Sequence, residues 1–528
     1  MRMDSALITS FVLAASLVPV CAESADCIGA ARPYDCAVER VRQGDFAAAV
    51  EALEPLVRAH PDDLKSLNLL GIALTGAGRV PEANRAFEAA LKASPRFYPA
   101  MKNLAVNQFN AGRFDRAAAL LREVVKLAPN DAVSRIYLGE IAYRSHDCAE
   151  AIEQYQAAQS ALPPEPALHS GECMLQRKDP TSAEANFAQL PADAYDLHFE
   201  AGIALARAGQ DTSAAHHFGI ARRGVKDPGS AVYNQMLCLI RAGEDKAAIE
   251  AGESFVDTTK SAELLNLLAE AYRKDNQLES AYNTLRTATT IDPTRIDNYI
   301  DLAILCQEHG NYALGLEITN FGMTKIPNSD RLYVQRGVLH AMAGEMDQAR
   351  ADFQKAAELA PARTLPVAAL AACFLHDADY SSAIRLLRTE APARKKDPML
   401  WFLLGRALSA GGTADESEVI GALEKSVQLD PKYAPARAEL GKALLKRGDV
   451  KRAVGELEAS LKLDPNNRLA TNQLMQGYRT LGNTQRVQEL SAKLRTILTA
   501  DRDSELRMAM QHIVRLDKDE NAAPVASR

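Results

Sequence analysis

The residues able to do chemistry are few and scattered. No HExxH, GxSxG or GxxxxGK[ST] occurs in the chain. Those spacings are what bring two metal ligands, a strained nucleophile or a ring of phosphate-binding N–H groups together. His216 and His217, with His198 one helix earlier, are the best metal candidates. Adjacent histidines on a helix point about 100° apart, so both cannot easily ligate one ion. They read as surface histidines. His376-Asp377-Ala378-Asp379 reads as a turn, where Asp finds local hydrogen bonds. Gly76-Ala77-Gly78 suggests a dinucleotide loop, but Pro81 takes the third glycine's place and no strand precedes it. No catalytic residue, no metal site and no cofactor is expected.

The elements that hold these residues repeat. From Leu64 to Pro95 the chain reads LKSLNLLGIALTGAGRVPEANRAFEAALKASP. Leu67, Leu70, Gly71 and Leu74 share one helical face, and Gly76 and Gly78 break that helix. Ala83, Phe87 and Ala90 share the face of a second helix, which Pro95 stops. A helix pair of this size cannot bury its apolar face alone. Pro61, Pro95, Pro129 and Pro163 stand 34 residues apart, as do Pro293, Pro327 and Pro361, and Pro431 and Pro465.

These positions resemble the tetratricopeptide repeat (TPR) pattern. Leu67, Gly71, Leu74, Ala83, Phe87, Ala90 and Pro95 fall where that pattern wants large, small, large, Ala, aromatic, Ala and Pro. The resemblance implies an all-α chain, a right-handed α-solenoid superhelix of about 13–14 repeats. Residues 23–191 read as an N-terminal array and 262–499 as a C-terminal one. Residues 192–261 read as divergent units, 500–516 as a capping helix and 517–528 as a disordered tail.

The first 22 residues have the shape of a secretory signal peptide: Arg2, a run from Ala6 to Val18, and small residues before Glu23. The expectation is a periplasmic or secreted protein with no membrane span of its own. A net charge of −7 offers no basic field for nucleic acid. Beyond the leader lie Cys27, Cys36, Cys148, Cys173, Cys238, Cys306 and Cys373, an odd set with no CxxC. Cys148 begins the second helix of one repeat and Cys173 nears the end of the next repeat's first helix. Antiparallel packing brings such positions together, so a disulfide is expected. Cys27 and Cys36 form a second, local possibility. Cys238, Cys306 and Cys373 read as buried small residues.

In the TPR family the first helix of each repeat lines a concave groove. In the middle repeats that face carries Ile136, Glu140, Tyr143, Leu168, Glu172, Leu175, Phe199, Ile203, Tyr233, Leu237 and Ile240. An apolar groove marks a binding site, and burial within divergent repeats is the alternative. The resemblance implies a scaffold that binds a protein or peptide partner. Its rivals are an assembly factor for an outer-membrane or exopolysaccharide export system, and the repeat subunit of a separate enzyme.

Overall fold

The computed structural model describes residues 32–256, 261–394, 396–412, 414–497 and 510. The expected signal segment 1–22, Cys27, the expected capping helix 500–516 apart from Met510, and the tail 517–528 lie outside the described residues. Among the described residues every regular element is a helix, and the chain divides after Ala242 into two units. The first unit holds α1 (Pro33–Arg42), α2 (Phe46–Ala59), α3 (Leu64–Gly76), α4 (Val80–Ala93), α5 (Tyr98–Asn110), α6 (Phe114–Leu127), α7 (Ala132–Arg144), α8 (Cys148–Ala157), α9 (Pro164–Gln176), α10 (Pro180–Phe187), α11 (Tyr195–Arg207), α12 (Asp211–Ala221) and α13 (Pro228–Ala242). The second holds α14 (Asp245–Val256), α15 (Ala262–Lys274), α16 (Leu278–Ile291), α17 (Ile296–Glu308), α18 (Tyr312–Lys325), α19 (Asp330–Met342), α20 (Met346–Leu359), α21 (Leu365–His376), α22 (Tyr380–Ala393), α23 (Pro398–Gly411), α24 (Glu416–Leu429), α25 (Ala434–Arg447), α26 (Val450–Leu463), α27 (Arg468–Thr480) and α28 (Thr484–Ile497). No described helix is long and apolar enough to cross a membrane.

The α3–α4 pair shows why the sequence folds this way. Asp63 caps α3 by accepting from the Lys65 and Ser66 N–H groups. In α4, Ala83, Ala86, Phe87 and Ala90 are buried on one face. The helix stops at Ser94, which is extended because Pro95 follows it. A Cβ placed on Gly71 would lie 2.3 Å from the Phe87 ring, so only glycine lets α3 and α4 close on that ring. The same fit recurs at Gly171 against Phe187 and at Gly441 against Leu457. Within each unit, helices pack on their chain neighbours, and first helices also meet the first helix of the next repeat. That is a solenoid, whose core is a ribbon rather than a centre.

Each helix pair turns through one residue in the left-handed region. Glycine takes it in most repeats, as at Gly78 and Gly112, where nothing would meet an added Cβ and φ is the only constraint. His146, Lys178, Asn276 and Ala378 take it in four repeats, with φ between 58° and 61°.

Candidate functional site

The inner face from α7 to α13 is built where the repeat ladder is least regular. α8 has 10 residues and α10 has 8, against 14 in α4 and α6. Ser170 stands before Gly171 where Leu70 and Leu138 stand before Gly71 and Gly139. The early end of α8 and the small Ser170 side chain leave a cavity of about 360 Å³, bordered by Tyr155, Gln159, Met174 and Asn186. Beside it Cys148 at the start of α8 and Cys173 on α9 are joined by a disulfide, with Cα atoms 5.0 Å apart. Cys36 is also disulfide-bonded. Cys238, Cys306 and Cys373 are buried free thiols, and burial pushes them up to about 12, 11 and 12.

A polar network lies on the same helices. Glu140 of α7 is fully buried, and its Oε1 accepts from the Tyr155 hydroxyl at 2.7 Å and meets His169 Nδ1 at 2.9 Å. The Tyr143 hydroxyl donates to Glu172 Oε2 at 2.5 Å, and its ring stacks on His169 with centroids 4.0 Å apart. Burial lowers the His169 imidazole, but its bond to Glu140 and the nearby Glu172 and Glu165 outweigh that, so its pKa is raised. Burial, then Glu172, Glu140 and Glu200, push the Tyr143 hydroxyl up, so it stays a donor.

The expected groove residues divide in two. Tyr143, Leu175, Ile203, Tyr233 and Leu237 are half-buried on the first helices. Ile136, Leu168, Phe199 and Ile240 are buried at 6% exposure or less, so they belong to the core and not to an open face. Phe199, for example, packs edge-on against Phe218 of α12 at 5.4 Å. The histidines also need correction. His216 is exposed, but His198 and His217 are each only 3% exposed. Their Nδ1 atoms are 2.8 Å apart, and His198 Nε2 lies 3.2 Å from the Pro191 carbonyl. That carbonyl can only accept, which makes His198 Nδ1 the acceptor of the His217 Nδ1–H. His217 is turned inward because it lies between Ala214 and Ala221, at three- and four-residue spacing, on the buried face of α12. Among the described residues no three His, Cys, Asp or Glu side chains converge to hold a metal. His376-Asp377-Ala378-Asp379 is a turn, with Asp379 capping α22 through the Ser382 N–H at 3.1 Å.

The Glu140–His169–Tyr155 core of the network was not anticipated from sequence. A signal for it existed: Tyr155 stands where Phe87, Phe187, Phe218 and Phe353 stand in other repeats. A hydroxyl in that buried slot demands an acceptor.

Tetratricopeptide repeat family models match residues 34–96, 74–138, 262–295, 330–363 and 410–475. The chain therefore carries tetratricopeptide repeats in both of its units. It is 36% identical over 83 residues to the peroxisomal targeting signal receptor of Saccharomyces cerevisiae, a match covering 16% of this chain and 14% of that receptor. Among solved structures, yeast Tom70 matches at 15% identity over 93% of this chain and 97% of that one, with a TM-score of 0.40. A tetratricopeptide repeat protein from Parabacteroides merdae matches at 17% identity over 47% of this chain and 97% of that one, with a TM-score of 0.37.

Proposed function

We propose that this chain, built on tetratricopeptide repeats, is an exported, non-catalytic scaffold that binds a peptide segment of a protein partner on the inner face of its first unit. The observation that carries the reading is the set Tyr143, Leu175, Ile203, Tyr233 and Leu237. These half-buried apolar side chains stand on four successive first helices, α7, α9, α11 and α13. Residues of this kind offer anchor area at an interface. The disulfide between Cys148 and Cys173 supports export, because such bonds persist in oxidising compartments.

The test is a pull-down from the periplasmic fraction with the native chain and with alanine at Tyr143, Ile203 and Tyr233. The variant is expected to lose the partner while melting at the native temperature. Equal capture by both proteins would reject this face as the binding site. N-terminal sequencing of the mature protein tests export separately, and Glu23 is the expected first residue.

A further inference from the structure

The cavity among α8, α9 and α10 lies behind the inner face. Ser170 and Met174, one turn apart on α9, border it, while Glu172 and Leu175 stand on the other side of that helix. Its origin is local. Two neighbouring second helices, α8 and α10, both stop short of the 14 residues of α4. They leave space over α9 at the point where the repeat's leucine is missing. Leu70, Leu104, Leu138, Leu404 and Leu440 hold the position that Ser170 takes here.

The lining has a definite chemistry. Among the described residues that border the cavity none is charged. Ser170 is 1% exposed, and its hydroxyl has no hydrogen-bond partner among the described residues. A buried hydroxyl left in that state costs stability unless something bonds to it. Asn186 commits its Nδ2 to the Ser182 carbonyl at 2.8 Å and to Met174 Sδ at 3.2 Å, which leaves its Oδ1 to accept. Gln189 donates its Nε2 to the Ala185 carbonyl at 3.3 Å and keeps its own acceptor. The amides of Gln156 and Gln159 stand exposed at the rim. Tyr155, Leu162 and Met174 add an apolar strip.

Such a lining disfavours an ion, which would lose water and meet no opposite charge. It suits a molecule rich in hydroxyls, because each hydroxyl both donates and accepts, as Ser170 and the amides do. The apolar strip would take the C–H face of such a molecule. A volume of about 360 Å³ is at the small end of ligand pockets, which run from about 300 to 1,000 Å³, and so suits one sugar ring. The walls are held before any ligand arrives. The Cys148–Cys173 disulfide ties α8 to α9, and the Tyr155 hydroxyl donates to Glu140 of α7 at 2.7 Å.

We propose that this cavity is a binding site for a neutral monosaccharide, with Ser170 and Asn186 bonding its hydroxyls. The site goes beyond the peptide-binding reading and uses none of the residues that carry it.

The test is a saturation-transfer NMR titration of the full chain with glucose and N-acetylglucosamine, and with glucuronate as a charged ring of similar size. The native chain is expected to bind at least one neutral sugar with a Kd of about 1 mM or tighter, and glucuronate at least about tenfold more weakly. Ser170→Leu, which restores the residue of the other repeats, should abolish binding. Ser170→Ala keeps the space and removes only the hydroxyl, and should weaken binding about threefold to tenfold. It reads the site independently of how Ser170→Leu folds. Failure of the native chain to bind either neutral sugar would overturn the proposal. So would undiminished binding by Ser170→Ala, or glucuronate bound as tightly as the neutral rings.

Discussion

Ala378 holds a φ of 58° at a turn where most repeats place glycine. A side chain in that region costs roughly 1–2 kcal/mol, partly offset by the freedom glycine gains on unfolding. Ala378→Gly is therefore expected to stabilise the second unit by about 0.5–1 kcal/mol, read as a later urea midpoint. The histidine pair makes a pH prediction. Burial, then His198 and His216, lower the His217 imidazole to about 4, and His198 is lowered as well. A depressed pKa means that the unfolded chain takes up the proton first. The stabilisation is full above about 6.5, the unfolded value, and is lost as pH falls from there towards 4. Melting temperature should drop over that window, and His217→Asn should flatten the drop. An unchanged slope in that variant would show that other groups set the acid sensitivity.

At the scale of elements, α8, α9 and α10 form the weakest stretch of the first unit, since two of them are cut short and a cavity lies among them. The disulfide between Cys148 and Cys173 closes a loop with a sequence separation of 25 at this point. A loop of that length predicts about 3.5 kcal/mol from restriction of the unfolded chain. Cys148→Ala is expected to lower the first unit's stability by a comparable amount, and a reductant should destabilise the native protein by about that much more than the variant, which keeps only the bond at Cys36. Mass spectrometry of non-reduced peptides from protein of the native compartment checks the bond itself. Two free thiols there would refute it, and would remove the support it lends to export.

For the whole molecule, a ribbon-shaped core within each unit sets how the chain unfolds. Each repeat leans only on its neighbours, so cooperativity need not extend through both units. Calorimetry is expected to show more than one transition. Gly71→Leu would drive a side chain into the Phe87 ring, and Gly441→Leu would do the same against Leu457. Each overpacking costs on the order of 1–3 kcal/mol. The first should shift one transition and the second should shift another. A single transition moved equally by both would show that the two units unfold as one.

How much of this was legible beforehand follows from where the information lies. Spacing settled the architecture, because Leu67, Gly71, Ala83, Phe87 and Pro95 constrain local geometry and recur in phase. Those residues act within one helix pair, and a one-dimensional pattern is enough to read them. The disulfide partners were legible for the same reason, since antiparallel neighbours sit at predictable offsets. The inner face was not. Ile136, Leu168, Phe199 and Ile240 share a phase with Tyr143 and Leu237, yet the first four are core. A residue's phase places it on a side of its own helix. How closely the next helices approach, where repeats are shortened, decides whether that side is open or sealed. The buried Glu140 and the inward His217 are likewise products of tertiary contact, made by partners 29 and 19 residues away.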